Sequence, residues 1–302
     1  MRLFTHNDLD GIGSVILSKI AFGEWFSNYK VCDHKNINDS VIEWANQKKN
    51  QSIFITDISV NEDVANKLDI DNTYLFDHHP TAMNLKGRFN GEVSENIVIN
   101  GIGEIKTCGT ELYYNWLLKN GLIKREYVDN LVDLIRNYDT WRWVTLGEYG
   151  KKSKQLNDLF YFYGEEKFIE RILKEFNSGS KSFQLNDMEK IYLENKQREI
   201  DEYVKEKNKN IIKTIIDNKV VGIVYAENFI SELGNELCKL NEDIDYIAII
   251  NMDGKISFRT VKDNTHLGFD VASKLGGGGH AKAAGASFDV TKSKEFAKEL
   301  FG

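Results

Sequence analysis

Two adjacent histidines, His78 and His79, directly follow Asp77 in the segment FDHH. Neighbouring imidazoles behind a carboxylate are poor material for a core or a turn, which raises the question of what they bind. Two earlier segments, HNDLDG and ITD, contribute further groups of the same kind: His6, Asp8, Asp10 and Asp57. Carboxylates gathered in one place would repel one another and lose hydration, and divalent cations would remove that penalty.

These acids and histidines all stand at the ends of apolar, strand-like segments, and in open α/β sheets ligands bind outside the carboxyl ends of the strands. Oxygen ligands with a minority of imidazoles and no thiolate favour Mn²⁺, with Mg²⁺ or Co²⁺ as alternatives. The donors exceed what one ion needs, so we predict two divalent cations. A pair of metals is a standard device for phosphoester hydrolysis.

Each of these groups also has a structural explanation. Asp8 and Asp10 could favour the N-terminus of a helix, Asp57 could cap the next helix, and the two adjacent histidines could be solvated loop residues. Asp33 and His34 also end a strand, and we interpret them as structural because the other positions already fill two coordination spheres. The metal hypothesis depends on all the groups converging.

The elements that would position these groups alternate regularly over the first eighty residues. Strands are predicted at four segments with helical patterns between them: RLF (2–4), YKVCDH (29–34), SIFITD (52–57) and TYLFDHH (73–79). Ser59 and Glu62 have the spacing of a capping box at the start of one helix, and Pro80 ends the fourth strand. This alternation predicts a parallel sheet with helices on its faces.

The second half of the chain has a different character. CGTELYYNWLLKNG and VDNLVDLIRNYDTW predict helices, and a charged helix follows at about 186–208. The remainder predicts a strand, a helix, a hairpin around Asp253–Gly254 and a glycine-rich segment. We therefore predict an α/β fold with a catalytic domain at 1–185, a helical linker at 186–210 and a smaller α/β domain at 211–302.

Composition limits the function further. The net charge of −7 argues against a protein that binds long nucleic acid. Three separated cysteines argue against a disulfide framework and favour a reducing cytoplasm. No segment is apolar enough for a membrane span.

The motifs HNDLDGIGS, ITD, FDHH and NYDTW resemble, in order, the four motifs of the DHH phosphoesterases, and FRT…GGGGHAKAAGA resembles the associated DHHA1 domain. The resemblance covers nearly the whole chain and is greatest to the branch that degrades very short RNA, the nanoRNases. One departure is that His6 stands two residues before Asp8, whereas many family members place this histidine four residues before.

The resemblance implies a role for each residue. His6 and Asp8 would hold one metal, Asp10, His78 and Asp139 the other, and Asp57 would bridge both. His79 would face the substrate phosphate, and Asp77 would orient a ligand by accepting a hydrogen bond. Asp57, His78 and His79 are accordingly the predicted catalytic residues.

The C-terminal motif predicts a phosphate or ribose subsite. Glycines lack side chains, so the backbone N–H groups of the run that includes Gly277, Gly278 and Gly279 can approach an anion closely. His280 would add a donor and Arg259 a bidentate fork. The resemblance implies that Arg259 and His280 bind the substrate opposite the metals.

Three residues near these motifs have more than one interpretation. Trp141 and Trp143 could stack a base, although core or interface positions are the commoner outcome for tryptophan. A nucleophilic role for Cys108 is not supported, because no histidine stands near it in sequence, and we interpret Cys108 and Gly109 as a helix entry near the site.

Together these observations predict a Mn²⁺-dependent phosphodiesterase that hydrolyses oligonucleotides of roughly two to five nucleotides stepwise from the 3′ end to 5′-mononucleotides. Other substrates stay open: 3′-phosphoadenosine 5′-phosphate (pAp), cyclic or linear dinucleotides, and polyphosphate. A non-catalytic nucleotide sensor is the competing class, and intact acids and histidines at the ligand positions disfavour it. Family precedent also suggests a homodimer.

Overall fold

The structure, a computed structural model, describes residues 1–23, 25–48, 51–99, 101, 103–125 and 127–301. The chain forms two compact units, Met1–Glu189 and Lys190–Gly302. The boundary between them falls within one charged helix, Asp187–Lys209. The finer division into two domains and a linker at 186–210 stays a prediction.

Within the described part of the first unit, five parallel strands form a sheet in the order β2-β1-β3-β4-β5. The strands are β1 (Arg2–His6), β2 (Tyr29–Cys32), β3 (Ile53–Thr56), β4 (Thr73–Asp77) and β5 (Asn90–Val93). The chain runs from β1 outward to β2 and then returns to the other side of β1 to form β3. The strand order therefore reverses between β1 and β3, which is where open α/β sheets bind ligands.

Helices cover both faces of this sheet, as a parallel sheet requires. The helices of the unit are α1 (Leu9–Phe22), α2 (Ile37–Gln47), α3 (Glu62–Ala65), α4 (Gly109–Lys119), α5 (Tyr127–Asp139), α6 (Gly147–Tyr163) and α7 (Glu165–Asn177). A short hairpin of β6 (Asn96–Ile99) and β7 (Gly103–Lys106) precedes α4, and 3-10 turns follow β4 and α5.

Side chains alternate between two cores along the strands. Phe4, Ile55 and Leu75 point into a cluster with residues of α2 and α3. On the other face, the Phe76 ring lies 5.2 Å from the ring of Tyr113 on α4, which is fully buried. Both faces of the central strands are thus buried, and only the strand ends remain available for a site.

The second unit continues α8 (Asp187–Lys209) into a mixed sheet of six strands among the described residues, in the order β12-β13-β11-β10-β9-β8. Its strands are β8 (Ile212–Ile216), β9 (Lys219–Tyr225), β10 (Tyr246–Asn251), β11 (Lys255–Arg259), β12 (Gly278–Gly279) and β13 (Ala283–Ser287). Its helices are α9 (Ile230–Leu240), a π-helical turn at Leu267–Val271 with the 3-10 turn Ala272–Leu275, and α10 (Thr291–Phe301).

The structure confirms the predicted fold class, with a parallel sheet in the N-terminal part and a smaller α/β unit after the charged helix. The four predicted N-terminal strands are present, and Asn251 pairs with Lys255 across the Asp253–Gly254 turn. The predicted capping box is wrong, because Asn61 caps α3 by accepting a hydrogen bond from the Val64 N–H. None of the helices in the described residues combines the length and apolar character needed to cross a bilayer.

Candidate metal centre

Three adjacent strands deliver acids and histidines to one edge of the parallel sheet. β1 ends at His6, Asp57 follows β3 directly, and β4 ends at Asp77. Because β1, β3 and β4 are neighbours in the sheet, their carboxyl ends lie side by side. Asp139, the last residue of α5, lies at the same place, with its Oδ2 3.4 Å from His78 Nε2.

The donor atoms form three groups, and in each group the atoms lie within 4.8 Å of one another. The groups are His6–Asp8–Asp57, Asp10–His78–Asp139 and Asp57–His78–His79. Asp57 therefore belongs to two groups and His78 to two. The residues that the sequence predicted to gather in this unit do gather.

His78 Nε2 lies close to carboxylate oxygens of both groups to which it belongs. It is 3.3 Å from Asp57 Oδ1, 3.4 Å from Asp139 Oδ2 and 3.8 Å from Asp10 Oδ2. Neighbouring ligands of an octahedral cation with bonds of about 2.1 Å lie about 3 Å apart, so this spacing approaches that of a coordination shell.

Several of these atoms lack a hydrogen-bond partner in the part of the chain that the structure describes. Asp57 Oδ1 and Oδ2, His78 Nε2 and Asp139 Oδ2 are buried and have no hydrogen-bond partner among the described residues. Buried polar atoms in proteins are normally paired, and an unpaired one calls for an explanation such as a bound ion or water or a catalytic role. The donor set of carboxylates and imidazoles is one that divalent cations accept, so the residues present fit such ions.

Electrostatics agree with this interpretation. Burial, followed by the charges of Asp10, Asp8 and Asp139, raises the pKa of Asp57 well above its usual range. Burial and nearby carboxylates also raise the pKa of Asp139. Burial lowers the pKa of His78, which keeps its imidazole neutral and able to bind a cation. Without cations the carboxylates therefore oppose one another's ionisation.

Asp8 and His6 form a pair of their own. His6 Nδ1 lies 2.7 Å from Asp8 Oδ2, and the Gly11 N–H donates to Asp8 Oδ1. Burial alone would raise the pKa of Asp8, but the hydrogen bond and charge of His6, together with Asp57 and the Gly11 N–H, outweigh it and lower the pKa to about 2. The same bond raises the pKa of His6. Asp8 also caps α1, so the structural interpretation of this residue holds alongside the metal hypothesis.

Backbone N–H groups at the start of α4 fix Asp10. Gly109 N–H donates to Asp10 Oδ2 at 2.7 Å, and Thr110 N–H donates to Oδ1 at 2.8 Å. A Cβ on Gly109 would lie 2.7 Å from the backbone N of Asp57. Asp57 itself has a left-handed φ of 58°, which aspartate tolerates. The sequence placed Gly109 near the site, but nothing in its spacing revealed that it holds Asp10.

His79 and Asp77 form the next pair. Buried Asp77 accepts hydrogen bonds at Oδ1 from the backbone N–H of His79 at 3.0 Å and from its Nδ1 at 2.8 Å. Burial would lower the pKa of His79, but the bond and charge of Asp77 outweigh it and raise the pKa to about 9. The imidazolium therefore has Nε2 available to donate to an anion.

Three residues that the sequence analysis interpreted as structural also have defined positions. The ring of His34 is exposed, and its centroid lies 5.4 Å from that of His6. Asp33 accepts hydrogen bonds from the N–H groups of Lys35 and Asn36, so it shapes the loop after β2. Burial raises the pKa of the Cys108 thiol well above its usual range, which agrees with a structural cysteine.

The C-terminal candidates lie in or beside β11 and β12 of the second unit, which β13 separates. Arg259 pairs with Ala283 and Gly279 with Ala284 on opposite sides of β13. The Arg259 guanidinium donates to Ser231 Oγ at 3.0 Å and to the Phe258 carbonyl at 2.9 Å, and the His280 N–H donates to the Ala283 carbonyl.

The glycine run packs closely against its neighbours. A Cβ on Gly277 would lie 2.1 Å from the Gly285 carbonyl oxygen and one on Gly279 would lie 2.6 Å from the Ala284 Cα, whereas Gly278 has open space. Strand packing therefore already requires two of the three glycines.

Comparisons with known proteins identify relatives of this chain. A scan against models of known families finds no match. Among curated proteins the chain is 35% identical to oligoribonuclease NrnB of Bacillus subtilis (strain 168) over 313 aligned residues, covering 99% of this chain and 76% of the relative.

Among solved structures, the pGpG-specific phosphodiesterase PggH of Vibrio cholerae matches with a TM-score of 0.55 and 16% identity, covering 99% of this chain and 97% of that one. RecJ of Thermus thermophilus in complex with Mn²⁺ matches with a TM-score of 0.53 and 12% identity, covering 99% of this chain and 51% of RecJ. At these identities the structures show a shared fold.

Proposed function

We propose that this chain, which belongs to the DHH phosphoesterase family, hydrolyses oligonucleotides of roughly two to five nucleotides stepwise from the 3′ end, with two divalent cations. A nucleotide or oligonucleotide phosphoesterase is supported by the relation to NrnB over nearly the full chain. The substrate length, the polarity of cleavage, the use of two metals and the preference for Mn²⁺ are our proposal.

One observation carries this proposal. Asp57 is 1% exposed, belongs to two donor groups, and has two carboxylate oxygens without a hydrogen-bond partner in the described part of the chain. A carboxylate with two free oxygens between two sets of ligands is suited to bridge two cations. We assign His6 and Asp8 to one cation, and Asp10, His78 and Asp139 to the other.

The cations, when bound, would polarise the phosphoryl group and lower the pKa of a bound water. The protein's part is to hold the ligands before substrate arrives. The N–H groups of Gly109 and Thr110 orient Asp10, and His6 and Gly11 orient Asp8. Because the ligands are held in advance, the cations would already lie where the transition state develops negative charge.

We assign His79 to the substrate phosphate. Asp77 holds its Nδ1, so Nε2 can donate a proton or a hydrogen bond to a phosphoryl oxygen as negative charge increases there. The raised pKa, about 9, keeps this imidazole protonated at neutral pH. In the second unit, Arg259, His280 and the backbone of Gly277, Gly278 and Gly279 would form an anion-binding subsite.

A linear dinucleotide is the second candidate substrate. PggH, whose fold this chain shares over nearly its full length, acts on pGpG. A linear dinucleotide is also the shortest member of the proposed substrate range, so one site could accept both. The net charge of −7 agrees with a short ligand, because a long polyanion would be repelled.

Turnover of a 5′-labelled RNA trimer tests the proposal. The protein is stripped with a chelator, supplied with Mn²⁺, and compared with Asp139→Asn and with Asp63→Asn, an exposed aspartate on α3 as the matched control. We expect the label to pass through the dinucleotide before the mononucleotide, and only Asp139→Asn to be inactive. Immediate release of labelled mononucleotide would reverse the proposed polarity.

Parallel reactions with pAp, pGpG, a cyclic dinucleotide and a long RNA define the substrate class. We expect the short linear substrates to be consumed fastest. Calorimetric binding of dinucleotide with Mn²⁺ but no turnover would instead support a nucleotide sensor.

A further inference from the structure

Trp141 lies two residues after Asp139, in the turn that ends α5. Its backbone φ is 62°, in the left-handed region. For a bulky side chain this conformation is a genuine outlier, and such strain persists only where the surrounding structure holds it, often at functional sites.

The turn is held from several sides. The Trp141 N–H donates to the Tyr138 carbonyl at 3.0 Å, and the Trp143 ring packs edge-on against Trp141 with centroids 5.2 Å apart. Trp143 stacks in turn on Tyr138 at 6.2 Å. A Cβ on Gly150 would lie 1.9 Å from the Trp143 carbonyl oxygen, so the start of α6 sits directly on this turn.

Despite this support, the indole of Trp141 is not in the core. The residue is 36% exposed. It follows Asp139, a member of the cluster that we assign to phosphoester chemistry, by two residues. Single exposed tryptophans are ordinary, and Trp25 is 81% exposed in the loop before β2. Trp141 differs from Trp25 in its strained backbone and in its position two residues after Asp139. Trp25 lies four residues before β2, on the side of the sheet where the strands begin.

We propose that Trp141 is a substrate-binding residue whose indole stacks on a nucleobase of the substrate. This inference rests on the proposed function. A nucleobase is joined to its phosphate through one sugar, so a ring two residues from a cation ligand is suitably placed for the base beside the scissile bond. Stacking is tolerant of base identity, which suits an enzyme that degrades mixed sequences.

The test combines protein variants with altered substrates. Trp141→Gly and Trp141→Asn remove the ring and suit a positive φ, Trp141→Phe keeps a ring, and Trp25→Ala is the matched control. The substrates are linear diadenylate and two analogues in which one or the other base is replaced by hydrogen. Metal-induced stabilisation of each variant reports on whether the cluster is intact.

We expect both ring-removing variants to lose about 5- to 150-fold in kcat/KM on diadenylate, the range of one base stack, mainly through KM. One of the two abasic analogues should show the same loss with the wild-type protein and no further loss with the variants. Trp141→Phe should retain most activity, and Trp25→Ala all of it.

Two results would overturn the inference while leaving the proposed function intact. One is an equal loss on all three substrates, which indicates a purely structural tryptophan, and the other is no loss at all. Failure of the proposed function has a different signature, because the wild-type protein would then cleave none of the dinucleotides, and the inference would fall with it.

Discussion

Replacing Asp57 by asparagine should make the protein more stable without metal and remove most of the stabilisation that metal gives to the wild type. Asparagine has the shape of aspartate and accepts the left-handed φ of 58° at this position. It removes one negative charge that faces Asp8, Asp10 and Asp139, and its amide can donate to a neighbouring carboxylate oxygen. The substitution therefore separates electrostatic repulsion from metal ligation.

The direction of the first effect follows from the pKa of Asp57, which burial and the neighbouring acids raise in the folded state. A group whose folded pKa is raised contributes stability below its unfolded pKa and loses that contribution as the pH rises through the folded pKa. Asp57 should thus lower the free energy of unfolding of the metal-free wild-type protein at about pH 8, but hardly at about pH 4.

The size of the effect follows from the burial. An unmatched buried polar group costs about 1–3 kcal/mol, which corresponds to about 2–12 °C in the unfolding midpoint of a domain of this size. With chelator at about pH 8, Asp57→Asn should gain that amount. With Mn²⁺ at about one hundred times its dissociation constant, the wild-type protein should gain about 2.7 kcal/mol and the variant little.

Thermal unfolding followed by fluorescence measures the gain in stability with chelator and the lost stabilisation with Mn²⁺. Turnover by Asp57→Asn should fall by at least ~100-fold, which exceeds the loss typical of residues that only support a ligand. Asp63→Asn, on the exposed surface of α3, controls for a generic change of charge. A lower midpoint for metal-free Asp57→Asn would refute the repulsion argument. An undiminished response to Mn²⁺ would refute its assignment as a ligand.

Three further substitutions test two residues beside the site and one buried ion pair elsewhere in the chain. Gly109→Ala would place a Cβ 2.7 Å from Asp57. We expect thermal unfolding to show a loss of stability of about 1–3 kcal/mol and a smaller stabilisation by Mn²⁺. Gly285→Ala is the control, because its Cβ would make an ordinary contact of 3.5 Å. Asp77→Asn should lower the pKa of His79, reduce turnover by about 10–100-fold and move the alkaline limb of the pH–rate profile toward neutral pH; an unchanged profile would contradict the role of Asp77. Glu189 is fully buried and bound to Arg171 at 2.7 Å. Burial alone would raise its pKa, but the bond and charge of Arg171, together with the Asn186 backbone and Tyr163, lower it. Its contribution to stability is therefore present above the unfolded pKa and lost as the pH falls through the folded one. Urea unfolding of Glu189→Gln should show a loss of about 1–3 kcal/mol near neutral pH that disappears in acid, and a loss independent of pH would contradict the ion pair.

The N-terminal part of the fold was predictable because its signals are local. Buried strands such as SIFITD and the regular alternation with helices define a parallel sheet, and the acids at the strand ends then fall on one edge. The role of Asp139 did not follow from spacing, because α5 brings it to the site from a distant part of the sequence. Its assignment came from resemblance.

Other features depend on tertiary contacts that no local pattern records. Helices α6 and α7 were not predicted, and the cap of α3 is Asn61 rather than Ser59, because the chain enters the helix later than the box pattern indicates. Trp141 was expected in a core or interface, and its exposure and strained backbone depend on Trp143 and Gly150. His34 approaches His6 because β2 pairs with β1, which places residues beyond Cys32 beside those beyond His6.

The distribution of hydrogen bonds within the site shows what a cation would connect. Backbone groups or partner side chains already hold Asp8, Asp10 and His79. Among the proposed cation ligands, the unmatched atoms belong instead to Asp57, His78 and Asp139, which stand at the ends of β3, β4 and α5. Cations at this place would therefore link three separate elements, so their binding should stabilise the whole first unit rather than one loop.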